Sequence, residues 1–325
     1  MPEAASLWDL SDLCTPWCIF SVATLRIAEH MATGIEEIGE LAAAAKCDPD
    51  VLHRVLGHLV GKGVFLEPEP GRFRLNEPAR GLLDPAQRLG LDLNGIGGRM
   101  AYAWSTLPTF VRTGASGYYE AFGLPFWEDL DAHPEVAASF DALIGPAGHG
   151  DFDPEFQVAG GWESVRTVVD VGGGTGAMLA AILRTRPWIH GTLVELPRTV
   201  SRAGEVFEAA GVSDRASSSP QSFFDALPAG RDLYLLRGVL NNWPDREAAA
   251  LLTRCAEASR PDGRVVVLKS VWPDDQPKDI YIDMVLTGGK HRSVAELREL
   301  ARQSGLAVVS AERQTSYFVV ECRPV

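Results

Sequence analysis

The run Val168-Val169-Asp170-Val171-Gly172-Gly173-Gly174-Thr175-Gly176 carries an apolar strand into a glycine turn and on into the helical segment AMLAAILRTR. A turn this rich in glycine lets a ligand come close to the backbone. A second apolar strand ends in Leu193-Val194-Glu195-Leu196-Pro197, which puts Glu195 25 residues beyond Asp170. A carboxylate at the carboxyl edge of a sheet accepts hydrogen bonds from both hydroxyls of a ribose. The turn reads D-x-G-G-G-x-G and lacks the G-x-G-x-x-G frame, so a pyrophosphate cradle is disfavoured. Asp170 suits a ligand that carries an ammonium group, or else it caps the turn or the helix behind it. The chain has no G-x-S-x-G elbow, no P-loop and no H-E-x-x-H, so hydrolase and kinase chemistry lacks a starting residue. His149, in GPAGHG, is followed at alternate positions by Asp151, Asp153 and Glu155. That pattern reads either as an extended metal-binding run or as a solvated acidic loop, and His149 as a side chain that a lid could bring to a substrate.

The elements that must position these residues alternate strand and helix after Trp162: RTVVDVG, AMLAAILRTR, GTLVEL, RTVSRAGEVFEAAG, RDLYLLRGVL, DREAAALLTRCAEASR, GRVVVLKSV and SVAELRELARQSG, with AVVSAER and SYFVVECR as a terminal hairpin-like pair. This order predicts an α/β fold with a doubly wound parallel sheet. Upstream, IEEIGELAAAAK and DPDVLHRVLGHLVGKG predict two helices, and VFLEPEPGRFRL a hairpin around Pro-Glu-Pro-Gly: a winged helix-turn-helix. Its second helix has Arg54 as its one fixed cation, with Asp50 opposing it and Leu52, Val55, Leu56 and Leu59 as an apolar stripe, which favours packing or dimerisation over DNA reading. Leu7 to Met31 is apolar on nearly every turn, and that suggests a shared dimer interface. The expected organisation is a dimerisation domain over 1–93, a helical, aromatic-rich linker and pocket region over 94–160, and a Rossmann-like domain over 161–325.

Composition bounds the partners. A chain of 325 residues with 30 basic and 43 acidic side chains has a net charge of −13, which repels a phosphate backbone. Neither nucleic acid nor membrane is expected as a partner: Pro16 to Leu25 is too short for a span, and Glu3, Asp9 and Asp12 stand where a signal peptide is basic. Five cysteines, at positions 14, 18, 47, 255 and 322, have no zinc-ribbon spacing; no metal is expected, and a reducing cytoplasm fits.

With TGASGYYEAFGLPFWEDL, VVDVGGGTG, LVELP, SFFDALPAG, LLRGVLNNWPD, PDGRVVVL and GGKHRS in this order, the chain resembles the small-molecule O-methyltransferases of the caffeic acid and bacterial polyketide type. Within that family it resembles enzymes acting on aromatic polyketides in bacterial natural-product pathways, including anthracycline methyltransferases and their hydroxylase relatives. The resemblance implies a class I methyltransferase sheet, a homodimer formed through the N-terminal domain, and S-adenosylmethionine, or its product S-adenosylhomocysteine, at the carboxyl edge. It implies that Gly172, Gly173, Gly174 and Gly176 approach the amino acid part of the cofactor, with Asp170 beside it, and that Glu195 holds the ribose. Ser222 and Phe223 fall at the adenine, with Gln221 before them in place of the usual glycine; Arg237 and Trp243 close the pocket.

The catalytic pattern departs from the family's. Where the family has L-H-D-W, with the histidine taking the acceptor's proton, this chain has Leu240-Asn241-Asn242-Trp243, and the two accompanying glutamates are Lys269 and His291. Asparagine orients a hydroxyl but accepts no proton near neutral pH. Two chemistries remain open: methyl transfer by positioning, with the acceptor's proton lost late or to water or taken by His291 as an alternative base, or a reused cofactor pocket that assists hydroxylation, decarboxylation, dehydration or pericyclic ring closure. A noncatalytic cofactor-sensing or DNA-binding protein built on the winged helix is a third reading. Under either enzyme reading, Lys269 calls for an anionic partner such as a substrate carboxylate or enolate. Phe140 and Ile144, four apart on one helix, are expected with Trp104, Asn242 and Met284 to wall a small aromatic substrate.

Overall fold

The computed structural model describes residues 6–144, 154–272, 279–314 and 317–325. It divides into two compact units, Met1–Ser105 with Trp127–Leu143, and Thr106–Phe126 with Ile144–Val325. The stretch 94–160 therefore contributes to both.

In the first unit, the helices Cys14–Thr24, Ile38–Ala45 and Pro49–Gly61 precede a short hairpin of β1 (Leu66–Glu69) and β2 (Arg72–Arg74). The helix Pro49–Gly61 starts where it does because the Asp48 side chain accepts from the backbone N–H of Asp50 and Val51, with Pro49 in the first turn. Leu52, Leu56 and Leu59, at helical spacing, are fully buried with Val22, Ile27, Leu41, Phe65 and Phe73. On its outer face Arg54 is engaged by Asp50 at 2.7 Å. Leu7, Trp8, Leu10 and Leu13 are exposed.

The second unit is built on seven strands: β3 (Thr167–Val171), β4 (His190–Glu195), β5 (Ala216–Pro220), β6 (Leu233–Arg237), β7 (Arg264–Leu268), β10 (Leu306–Gln314) and β11 (Tyr317–Pro324). A separate parallel pair, β8 (Val271–Trp272) and β9 (Arg292–Ser293), follows β7. The order is β10-β11-β7-β6-β3-β4-β5. β3 to β7 run parallel, and β11 joins β7 antiparallel with Val320 opposite Val267. This is the doubly wound α/β sheet expected from the sequence, with the terminal hairpin as its antiparallel edge. Its central strands are buried on both faces, which is why they read as unbroken apolar runs. Val169, Val171, Leu236 and Val267 pack with Leu251, Leu252 and Cys255 of the helix Asp245–Ser259. Val168, Leu235 and Val266 pack with Leu179, Ile182 and Leu183 of the helix Ala177–Thr185. The chain leaves β3 for β4 on one side and later returns to β6 on the other, so the carboxyl ends of β3 and β6 flank the switch point where open sheets bind ligands. No helix among the described residues is long and apolar enough to cross a membrane.

Candidate active site

Asp170, one residue from the end of β3, is 1% exposed, and neither of its carboxylate oxygens finds a hydrogen-bond donor among the described residues. Burial pushes its pKa up to about 7, opposed by the charge of Arg237 at the end of β6 and reinforced by Glu195. A buried carboxylate without donors costs several kcal/mol if ionised, so the site favours either a proton or a cationic ligand there. The glycine turn lies directly beside it. A Cβ on Gly173 would run into the Asp170 carboxylate, whereas Gly174, at φ +61°, faces open space. Gly172 and Gly176 also have positive φ, at 70° and 80°.

Glu195 is tied to this turn. Its Oε2 accepts from the Gly174 N–H at 3.0 Å and its Oε1 from the Leu196 N–H at 2.8 Å. These backbone bonds fix the Glu195 carboxylate at the carboxyl end of β4, an acceptor of the kind that suits ribose hydroxyls. Beyond β5, the Ser222 hydroxyl accepts from the Phe224 N–H at 3.2 Å. Gln221 is held by Ser219 and by the Ala226 carbonyl, which makes it part of the local turn. Phe223 and Phe224 meet the Trp243 ring edge-on at 5.9 and 4.9 Å, so Trp243 is anchored to the core.

The turn after β6 carries Asn241 and Asn242. The Ser270 hydroxyl donates to Asn241 Oδ1 at 3.1 Å, and Asn241 Nδ2 donates to Asn242 Oδ1 at 3.2 Å. Asn242 Nδ2 in turn donates to the Gly238 carbonyl at 3.1 Å. Gly289 lies so close to this turn that a Cβ there would strike the Asn241 carbonyl. Arg292, 1% exposed, reaches in from β9: it donates to the carbonyls of Leu240 at 2.7 Å and Trp243 at 2.8 Å and pairs with Asp245 at 2.9 Å. Because β9 pairs with β8, His291 is laid parallel on Trp272, ring centroids 5.3 Å apart, with Tyr281 at 5.2 Å. Burial lowers the His291 pKa, partly offset by Asp283. Lys269, half-buried at the end of β7, is held in the left-handed region at φ +55°, which costs about 1–2 kcal/mol for a residue with a Cβ.

Residues 104–307 match the profile of the O-methyltransferase domain. The chain belongs to the O-methyltransferase family. It is 40% identical over 318 residues to 2,7-dihydroxy-5-methyl-1-naphthoate 7-O-methyltransferase of Streptomyces carzinostaticus, covering 96% of this chain and 95% of that one. It is 38% identical over 319 residues to aclacinomycin 10-hydroxylase RdmB of Streptomyces purpurascens, covering 94% and 84%. Among solved structures, it is similar to the O-methyltransferase NcsB1 from neocarzinostatin biosynthesis in complex with S-adenosylmethionine and 2-hydroxy-5-methyl naphthoic acid. That match has a TM-score of 0.86 and 38% identity and covers 99% and 100% of the two chains. The fold is thus the class I methyltransferase fold, and S-adenosylmethionine is the methyl donor of the family. The site fits such a ligand, because the buried Asp170 carboxylate, the open face of Gly174 and the Glu195 carboxylate lie along one sheet edge.

In this O-methyltransferase-family enzyme the three replaced positions all belong to the second unit: Asn241 is hydrogen-bonded to Ser270, Lys269 precedes Ser270 in the chain, and His291 precedes β9, which pairs with β8. Met284 is buried in the helix Ile282–Thr287 of the same unit. Ile144 ends the helix Pro134–Ile144, at the border of the second unit. Phe140 and Trp104 belong to the first unit, where Phe140 meets Trp127 edge-on at 5.9 Å and Trp104 is partly exposed. His149, Asp151 and Asp153 lie outside the described residues. Glu155 is exposed and pairs with Arg186 at 3.6 Å. Sequence reasoning missed Ser270, Arg292 and Ser116, whose hydroxyl donates to the Val285 and Leu286 carbonyls at 2.7 and 2.9 Å and ties the TGASGYY stretch to the helix Ile282–Thr287. The arginine in GGKHR was the one readable signal, since a cation in a glycine-rich loop needs acceptors nearby.

Proposed function

We propose that this enzyme methylates a hydroxyl of a small aromatic or polyketide-type acceptor in bacterial natural-product biosynthesis, acting in the cytoplasm as a homodimer. The observation that carries this reading is the buried Asp170 carboxylate beside the glycine turn, in the same unit as the Asn241 amide that Ser270 holds. Asp170 would face the cofactor's ammonium, Glu195 its ribose, and Phe223 and Trp243 its adenine. When bound, the cofactor supplies a methyl group on a positively charged sulfur, which is electrophilic without further activation. The protein's task is then to hold the acceptor oxygen and remove its proton. Asn241 Nδ2 orients that oxygen. His291, kept neutral by burial against Trp272, accepts the proton. Lys269 stabilises a carboxylate or phenolate on the acceptor, a match supported by the naphthoic acid bound to NcsB1. Asn242 and Met284, both of the second unit, are proposed to wall the acceptor side of the site. The exposed Leu7, Trp8, Leu10 and Leu13 support a dimer formed through the N-terminal unit.

The second reading, a cofactor-assisted reaction other than methyl transfer, is favoured by the lost histidine and by the likeness to RdmB. Incubation with methyl-labelled S-adenosylmethionine and hydroxylated naphthoic acids separates the two. Label in the product supports methyl transfer. Turnover of the acceptor with the cofactor unchanged selects the second reading.

A further inference from the structure

A cluster in the first unit takes no part in this chemistry. Cys14 and Cys18 stand four residues apart on the helix Cys14–Thr24, so both point to one face, and their sulfurs are 3.9 Å apart. A ring nitrogen of His58, on the neighbouring helix Pro49–Gly61, closes the triangle: the three ligand atoms lie within 4.8 Å of one another. A tetrahedral zinc ion with Zn–S bonds of about 2.3 Å sets its two sulfurs about 3.8 Å apart, so the thiols already have the required separation.

The surroundings support the histidine. Asp12 Oδ2 accepts the Thr15 hydroxyl proton at 2.5 Å, and the Thr15 oxygen contacts His58 Nε2 at 2.9 Å. Asp12 is itself fixed by the Cys14 N–H at 2.8 Å and by Lys62 at 3.4 Å. A carboxylate acting through a hydroxyl on an imidazole is the kind of outer support that orients metal-binding histidines. In the single chain Cys14 is exposed while Cys18 and His58 are half-buried, so water can serve there as a fourth ligand. Two sulfurs and one imidazole nitrogen select a borderline-soft divalent ion over magnesium or calcium. The spacing rule applied to the sequence misses this set because its third ligand comes from another helix, 40 residues beyond Cys18.

We propose that Cys14, Cys18 and His58 form a zinc site that clips the first long helix of the N-terminal unit to the helix Pro49–Gly61, with water in the fourth position. The test uses the full chain, reduced and stripped of metal, titrated with Co2+ as a spectroscopic probe and then with Zn2+. The site predicts one equivalent of Co2+ with sulfur-to-cobalt charge-transfer and tetrahedral ligand-field bands, displaced by Zn2+. Cys14→Ser and Cys18→Ser each remove the charge-transfer intensity per sulfur lost, and His58→Gln weakens binding by about tenfold or more. Zn2+ raises the melting temperature of the parent chain and not that of Cys14→Ser, a readout available even where a variant is less stable. Absence of the bands, or uptake that survives both serine variants unchanged, overturns the proposal. So does oxidation of the two thiols to a disulfide as their only metal-independent and metal-insensitive response.

Discussion

Arg292 Nη2 donates to the Trp243 carbonyl at 2.8 Å while its Nη1 donates to the Leu240 carbonyl at 2.7 Å, so one buried guanidinium spans both ends of the turn that carries Asn241 and Asn242. A planar fork holds two carbonyls and a carboxylate at once; an ammonium, a compact point charge on a flexible stem, does not reproduce that geometry. Arg292→Lys is expected to leave at least one buried carbonyl unsatisfied, at a cost of about 1–3 kcal/mol. The turn then loosens. Steady-state kinetics should show kcat falling by about 10- to 100-fold with a smaller change in cofactor KM, because a misplacement of about 1 Å is costly in rate. Equal losses of stability and activity with an unchanged kcat-to-KM balance would mark Arg292 as structural support alone.

With Asp170 as the proposed partner of the cofactor's ammonium, cofactor binding is expected to depend on pH. Its pKa in the folded chain is raised to about 7, above the ordinary value of 3.8, so the ligand-free fold prefers the protonated form. The sign follows: the folded state is favoured below about pH 4, and that advantage is lost progressively as pH rises through 7. A ligand ammonium reverses the preference by pairing with the ionised form. Calorimetry should therefore find S-adenosylhomocysteine binding tighter at pH 8 than at pH 6, by up to about tenfold per pH unit below the pKa, with protons released. Asp170→Asn should flatten that dependence, weaken binding, and raise the melting temperature at pH 8 but not at pH 4. Pairs of buffers with different ionisation heats provide the check.

His291 is the proposed proton acceptor, and its pKa is lowered by burial. The pH–rate profile should therefore keep a full rate to a lower pH than an exposed histidine would allow. His291→Gln should reduce kcat by about 10²-fold or more with little change in acceptor KM. A loss under about threefold would transfer the proton to water or to the acceptor's own chemistry, since general base catalysis contributes at least tenfold more than that.

The exposed N-terminal apolar residues give a prediction about assembly. Trp8→Glu with Leu10→Glu should convert a dimer to a monomer in analytical ultracentrifugation, because each side chain is largely exposed in the single chain and a charge cannot be buried against a partner without a counter-ion. A parent chain that sediments as a monomer would remove the assembly part of the proposed function.

The sequence by itself determined the sheet and its cofactor edge. The β3 apolar run, the glycine turn and the strand-end Glu195 are local patterns, and their chemistry follows from residue type and strand position. The departures at Asn241, Lys269 and His291 were equally legible, because each sits inside a short motif. Only the tertiary structure decided what holds the Asn241 turn. Ser270 on Asn241, Arg292 under the 240–243 turn and Gly289 against the Asn241 backbone are contacts between segments 29 to 52 residues apart, and no periodicity encodes them. The same holds for Asp170: its sequence context is that of any strand-end acid, and it is the surrounding burial, a property of packed layers, that raises its pKa. Cys14, Cys18 and His58 make the point in the other unit, where two helices must pack before three separate side chains become one set of ligands.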